Sequence, residues 1–147
     1  MFETQQDLSP LGYYNIAVSF LDAADIILEA KHLIFEAPVR TLYAHAWELT
    51  LKACLRVQGE SVENLRRKFG HDLAKAYARV DLQRFEELKL ASASFLIDQL
   101  NPYHRERLHF YPKSGPFTVI AIEEVRDKSR NLRIDRRAAC RLFSGEP

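Results

Sequence analysis

A helical repeat of apolar residues over positions 39–57 is the feature that most constrains the fold. The apolar residues recur at spacings of three and four, which places them on one face of a helix. These residues are Leu42, Ala46, Leu49, Ala53 and Val57. Tyr43, Trp47 and Cys54 widen this face, and Gly59 follows as a typical helix stop. The segment is therefore predicted to be an amphipathic helix.

Similar repeats predict three further long helices, and capping residues predict two short ones. The long helices are predicted over 11–33, 82–100 and 121–143, and the first of them follows a Ser9-Pro10 cap. The short helices are predicted over 61–69 and from Asp72 to beyond position 79. Residues 103–119 contain two prolines and a glycine and are predicted to form an ordered loop. The predicted fold is an all-α, antiparallel four- to five-helix bundle with one long irregular loop, in a single domain over residues 1–147.

Composition is that of an ordinary soluble domain. The chain has 147 residues, of which 47% are hydrophobic and 28% charged, so it can bury a core without a metal or disulfide staple. The net charge is +1, but the charges are unevenly distributed. Residues 1–60 carry eight acidic and four basic side chains, whereas residues 61–147 carry twelve acidic and seventeen basic ones. This polarity fits either a basic face toward RNA or an acidic partner, or a plain solvated helix face.

Cysteine usage and the first residues of the chain indicate a cytoplasmic protein. Cys54 and Cys140 are far apart and fit neither a disulfide framework nor a zinc spacing. The first ten residues include acids and no basic residue, unlike a signal peptide. The longest uncharged run, residues 8–21, is too short to span a bilayer. We therefore expect no membrane partner.

Polar residues interrupt the helical scaffold at two neighbouring places. Glu48 and Lys52 stand one turn apart on the second helix, in the favourable order for an ion pair. His45 shares their stripe, so the three side chains either stabilise the helix or line a groove. Gly70, His71, Asp72 and Leu73 then form a helix stop and the start of the next helix, with Asp72 as the cap.

Metal and cofactor sites are not predicted. His71-Asp72 would need further ligands at helical spacing to form a metal phosphohydrolase site, and the neighbouring sequence offers none. The spacing from His104 to His109 is one residue too long for a two-histidine zinc helix. The chain also has no glycine-rich phosphate loop and no GxSxG motif. The alternative interpretation of His71 is a local hydrogen bond at the helix start.

Residues 43–77 resemble the HEPN superfamily of small helical bundles. The resemblance lies in the Glu48-x-x-x-Lys52 step, Gly59, and the Gly-His-Asp-Leu start at positions 70–73. It implies an antiparallel bundle that often dimerises, and in many members a metal-independent endoribonuclease of toxin or antiphage type. Such members carry Arg, four to six residues, then His near the last long helix, and two protomers form the site. Other members lack this signature and are binding modules. A third possibility for this chain is a subunit that is neutralised by a partner and works with a nucleotidyltransferase.

The region before the last helix supplies the candidate catalytic residues. Arg105 and His109 are predicted to be catalytic, although only three residues separate them, one fewer than in the family signature. Literal matches to the signature occur at Arg40–His45 and Arg66–His71, away from the last helix. The predicted substrate-binding residues are Arg107, Tyr111, Lys113, His71, Glu48 and Lys52.

These residue types suit RNA cleavage without a metal. A histidine can move the proton of a 2′-hydroxyl, an arginine can hold the phosphate, and aromatic rings can stack on bases. The arginines at positions 126, 130, 133 and 137 share one face of the last predicted helix and could follow phosphates. The predicted function is a metal-independent endoribonuclease. The alternative is a non-catalytic module that binds RNA, a nucleotide or another protein.

Overall fold

The chain folds into an all-α bundle. The computed structural model describes residues 8–30, 36–106 and 120–144, and no strand occurs within these ranges. The α-helices are α1 (Pro10–Glu29), α2 (Ala37–Val57), α3 (Val62–Asn64), α4 (Leu73–Arg79), α5 (Ser94–Arg105), α6 (Ile122–Ser129) and α7 (Arg136–Phe143). A π-helical turn, Leu65–Phe69, continues α3, and three 3₁₀ turns cover Glu86–Leu88, Leu90–Ala93 and Arg130–Leu132. The prediction of an all-α helical bundle is confirmed.

Helix α2 is the centre of the bundle. It packs along α1 and also contacts α4, α5, α6 and α7. Its buried residues lie around most of its circumference, and Trp47 and Tyr43 are the largest of the fully buried side chains. The Trp47 indole N–H donates a 2.9 Å hydrogen bond to the Ser129 hydroxyl of α6, so this buried polar group is satisfied. Cys54 lies in the same core and Cys140 is exposed, and both are free thiols, as their spacing predicted.

Side-chain caps begin the helices where the sequence places them. Backbone N–H groups donate to the Ser9 hydroxyl at 3.0 Å, to the Ser61 hydroxyl at 3.1 Å and to the Asp72 carboxylate at 3.1 Å. Each bond satisfies one of the otherwise unpaired donors of a first helical turn. Gly70 has a φ of +50°, a conformation that costs little only without a Cβ. The predicted cap at Asp72 and the predicted stop at Gly70 are therefore confirmed.

The last predicted helix is in fact two helices, and the prediction of one continuous element is wrong. Regular helix ends at Ser129, and α7 begins at Arg136 with Asp135 as its cap, accepting from Ala138 at 2.9 Å. Tyr14 of α1 stabilises the break. Its hydroxyl donates to the Leu132 carbonyl at 2.8 Å and accepts from the Ile134 N–H at 3.0 Å. A distant side chain thus supplies the hydrogen bonds that a continuing helix would have made.

This break also overturns the predicted arginine stripe. Arg133 lies between α6 and α7 and does not share a helix face with Arg126, Arg130 and Arg137. Its guanidinium is bound to Asp22 at 2.7 Å and Asp25 at 3.1 Å on α1. Arg133 therefore connects the segment between α6 and α7 to α1.

The predicted helix over 82–100 begins later and ends later than its sequence pattern indicates. Residues 82–85 form a turn, 3₁₀ turns follow at Glu86–Leu88 and Leu90–Ala93 with Lys89 at a φ of +50° between them, and regular α-helix starts only at Ser94. The altered turn geometry changes which residues face inward, so Phe95, which the apolar spacing of one continuous helix over 82–100 would place inward, is 58% exposed. Helix α5 then passes through Pro102 to Arg105 instead of stopping at Asn101. Residues 103–105 are consequently helical, and most of the predicted loop, 107–119, lies outside the described residues.

Helix α1 is long and apolar enough to cross a membrane, with a mean hydropathy of 1.3 over its best 18-residue window. Core helices meet the same criteria, and this one packs along α2. Its carboxylates Asp22 and Asp25 bind Arg133. One apolar face of α1 therefore packs against α2 within the bundle.

Candidate functional site

A buried carboxylate, Glu48, lies at the centre of the most polar part of the bundle. Only 4% of the residue is exposed. The Lys52 ammonium donates to Oε1 at 2.7 Å, His104 Nε2 donates to Oε2 at 2.6 Å, and His71 Nδ1 donates to Oε2 at 3.0 Å. His45 Nδ1 lies 3.6 Å from Oε2, beyond hydrogen-bond length. We call this group the Glu48 cluster: His45, Glu48, Lys52, His71 and His104.

Three separate segments bring the Glu48 cluster together. On α2, spacings of three and four residues place His45 and Lys52 on the same face as Glu48. The Gly70 turn sets His71 directly before α4, and α5 reaches the cluster with His104 because it continues past Pro102. The three imidazole rings meet nearly edge to face, with centroids 5.3 to 6.2 Å apart.

Asn101 of α5 binds the start of α4, next to His71. Its side-chain oxygen accepts from the Leu73 N–H at 2.7 Å, and its side-chain nitrogen donates to the Asp72 carboxylate at 3.1 Å. One amide from α5 therefore satisfies both the cap and the first turn of α4. This holds the His71 turn in a defined position relative to His104.

Glu48 is ionised despite its burial. Burial by itself raises the pKa of this carboxyl, but hydrogen bonds from His104, Lys52 and His71, together with the Lys52 charge, outweigh it. The result is a pKa well below the usual range of a glutamate. The ion pair that the sequence indicates between Glu48 and Lys52 is thus largely buried, since their side chains are only 6% and 11% exposed. Breaking such a pair is costly because it strands a charge away from water.

His45 differs from the other two histidines of the cluster. Burial is the main cause that lowers the pKa of this imidazole, and it outweighs the opposing effect of Glu48. The ring stacks on Phe20 of α1, with centroids 5.1 Å apart. Its Nδ1 is buried and has no hydrogen-bond partner among the described residues. A buried polar atom of this kind is uncommon in a folded protein.

We expect the stability of the protein to fall as the pH is lowered from about 7 to about 4. A group with a lowered folded-state pKa binds protons more readily in the unfolded chain, so its stabilising effect is lost on acidification. For His45 the loss begins below about pH 6.5, and for Glu48 below about pH 4.3, the usual unfolded-state values. Urea unfolding at a series of pH values measures this. In a His45→Phe variant, the free energy of unfolding should no longer fall between about pH 7 and pH 5. An equal fall in the two proteins over this range would contradict the assignment to His45.

The rim of the Glu48 cluster is exposed and basic. The His71 side chain is 38% exposed, whereas His104 is buried. Arg105, with a side chain 55% exposed, lies 3.9 Å from the Asp72 carboxylate. The π-helical turn that precedes Gly70 and His71 in the chain carries three exposed cations, Arg66, Arg67 and Lys68, of which Arg67 pairs with Glu63. We call these three residues and Arg105 the basic rim.

The structure unites some of the sequence-predicted site residues and adds others. Glu48, Lys52 and His71 lie in the cluster, and Arg105 lies at its rim. The remaining predicted residues, Arg107, His109, Tyr111 and Lys113, lie outside the described residues.

The sequence did not predict that His104 and His45 join Glu48 in one cluster. The contact between His104 and Glu48 spans 56 residues, so no local pattern indicates it. His45 and His71 are the histidines of the two Arg-x₄-His matches that lie away from the last helix. The further polar side chains that the sequence near His71 lacks come instead from α2 and α5.

Fold and site together define a small all-α bundle protein with an ionised carboxylate held by two histidines and a lysine. No protein-family model, curated protein or solved structure matches the chain. The function is therefore inferred from the Glu48 cluster and its rim.

Proposed function

We propose that this chain is a HEPN-like, cytoplasmic protein that cleaves RNA without a metal ion, with His71 as general base and Arg105 as phosphate ligand. One observation carries the proposal: His71 is bound through Nδ1 to an ionised, buried Glu48 while 38% of its side chain is exposed, and Arg105 lies 3.9 Å from the carboxylate of the next residue, Asp72. A carboxylate that fixes one ring nitrogen of an exposed histidine is a recurrent arrangement in acid–base catalysis.

The chemistry follows from this orientation. Because Nδ1–H donates to Glu48, the basic lone pair of His71 lies on Nε2. Nε2 takes the proton of a 2′-hydroxyl, whose oxygen attacks the adjacent phosphorus. The bond to the 5′-oxygen breaks, which leaves a 2′,3′-cyclic phosphate and a 5′-hydroxyl once a proton is returned. The Arg105 guanidinium stabilises the charge on the phosphate oxygens. His109, which the sequence predicts to be catalytic, is proposed as the acid that protonates the leaving oxygen.

The basic rim is suited to binding the RNA backbone. Arg66, Arg67 and Lys68 are consecutive and exposed, and they precede the Gly70 turn that carries His71. Clustered lysine and arginine side chains bind phosphates and release counterions, so binding is expected to weaken steeply with salt. Arg107, Lys113 and Tyr111 remain proposed contacts to phosphate and base. Glu48 and Lys52, first predicted to bind substrate, are reassigned to positioning His71 because Glu48 is buried and the Lys52 side chain is only 11% exposed.

A second function, an RNA- or nucleotide-binding module without catalysis, is favoured by the basic rim alone. Phosphate binding needs no proton transfer, and the Arg105–His109 spacing departs from the family signature. The resemblance to HEPN proteins also supports a homodimer of toxin or antiphage type, or a chain paired with a nucleotidyltransferase.

The test is incubation of the purified protein with single-stranded RNA in EDTA. We expect cleavage with 2′,3′-cyclic phosphate ends, since the proposed mechanism retains the 2′-oxygen on the phosphorus. An Arg105→Ala/His71→Ala double variant, purified identically, controls for contaminating nucleases. Equal cleavage by the two proteins would overturn the enzyme proposal, and salt-sensitive RNA binding without cleavage would establish the second function instead.

A further inference from the structure

The donor atoms at the inner side of the Glu48 cluster match a transition-metal site. His45 Nδ1, a Glu48 carboxylate oxygen and His104 Nε2 lie within 4.8 Å of one another. Around Oε2 the distances are 2.6 Å to His104 Nε2 and 3.6 Å to His45 Nδ1. Ligands at about 2.0–2.2 Å from a tetrahedral ion stand roughly 3.3 Å apart. The observed spacings lie on either side of this value, so small side-chain movements would complete the geometry.

The orphaned Nδ1 of His45 is the second observation that points to a ligand. This atom is buried, is aimed at the carboxylate, and has no hydrogen-bond partner among the described residues. A ring that served only to fill space could turn this nitrogen to solvent, since a third of the side chain is exposed. A bound cation would satisfy the atom and bring it closer to Oε2.

We propose that the protein binds one divalent transition-metal ion, Zn²⁺ or a chemically similar ion, through His45, Glu48 and His104. Two imidazoles and one carboxylate favour zinc and its neighbours over Mg²⁺ or Ca²⁺, which prefer all-oxygen ligands. This site goes beyond the proposed RNA cleavage, and its binding is measured without RNA.

Lys52 is expected to lower the affinity of the site for a metal ion. Its ammonium binds Oε1 at 2.7 Å and neutralises the charge that would attract the ion. A Lys52→Met variant should therefore bind Zn²⁺ more tightly than the wild type. Zn²⁺ should also restore stability to this variant, because the ion replaces the lost positive charge beside Glu48. Adventitious surface binding would not respond to this buried substitution.

The test is titration of EDTA-treated, dialysed protein with Zn²⁺ by calorimetry, and with Co²⁺ by visible absorption. Every variant carries Cys140→Ser, because an exposed thiol is a competing zinc ligand. His45→Phe removes one ligand and keeps an aromatic ring against Phe20, and we expect it to weaken binding roughly tenfold or more. Thermal unfolding without metal confirms that each variant is folded.

Each result of the titrations either supports or overturns the proposed metal site. Saturable binding of one ion per chain that is weakened by His45→Phe and strengthened by Lys52→Met supports the site. Binding that neither substitution changes, or an absence of saturable binding in both the wild type and Lys52→Met, overturns it. RNA cleavage in EDTA is unaffected by either result, so failure here is distinguishable from failure of the proposed function.

Discussion

Replacing Glu48 with leucine is expected to destabilise the protein by about 3–5 kcal/mol, the usual cost of removing one partner of a buried ion pair. The Lys52 ammonium, on a side chain that is only 11% exposed, would lose its counterion. The His71 and His104 N–H groups would lose their acceptor, and a buried donor without a partner adds to the cost. Chemical denaturation followed by circular dichroism at neutral pH measures the change.

Two controls separate this effect from the loss of an ordinary ion pair. Glu63 and Arg67 form an i,i+4 pair at 3.1 Å with side chains 60% and 71% exposed. Glu63→Leu should therefore change stability by at most about 0.5 kcal/mol. The Glu48→Leu/Lys52→Met double variant should recover much of the loss, because it no longer contains a stranded charge. If Glu48→Leu were no more destabilising than Glu63→Leu, the importance of the buried pair would be refuted.

Substitution of His71 by alanine is expected to lower RNA cleavage by about 10²–10⁴-fold, the usual contribution of a general base. RNA binding should change little, because the basic rim is intact. Single-turnover cleavage in EDTA and filter binding at several salt concentrations measure the two properties separately. This expectation depends on the proposed function.

The matched variants assign roles within the site. Glu48→Gln keeps the shape of the side chain but loses the charge that orients His71, so it should reduce the cleavage step and leave RNA binding unchanged. Arg66→Ala should do the reverse and reduce the salt dependence of binding. If the His109→Ala protein loses cleavage and the His71→Ala protein retains it, the general base is His109 and not His71.

The helical fold class was predictable because helices and their caps are local. Apolar spacing in α2, the serine cap of α1 and the Asp72 cap of α4 each depend on residues no more than a few positions apart. The Glu48–Lys52 pair follows from the same one-turn geometry. Errors arose where distant residues override local pattern. The Tyr14 hydroxyl supplies hydrogen bonds 118 and 120 residues along the chain and thereby stabilises the break before α7.

The sequence by itself thus determined the fold class, the α1 and α2 helices, several caps and the one-turn pair on α2. Only the tertiary structure decided that this pair is buried and that His71 and His104, 23 and 56 residues beyond Glu48, bind its carboxylate. The physical reason is that helix formation follows near-neighbour spacing, whereas a cluster assembled from three segments depends on how helices pack. Packing also sets the desolvation that distinguishes a weak surface ion pair from a strong buried one.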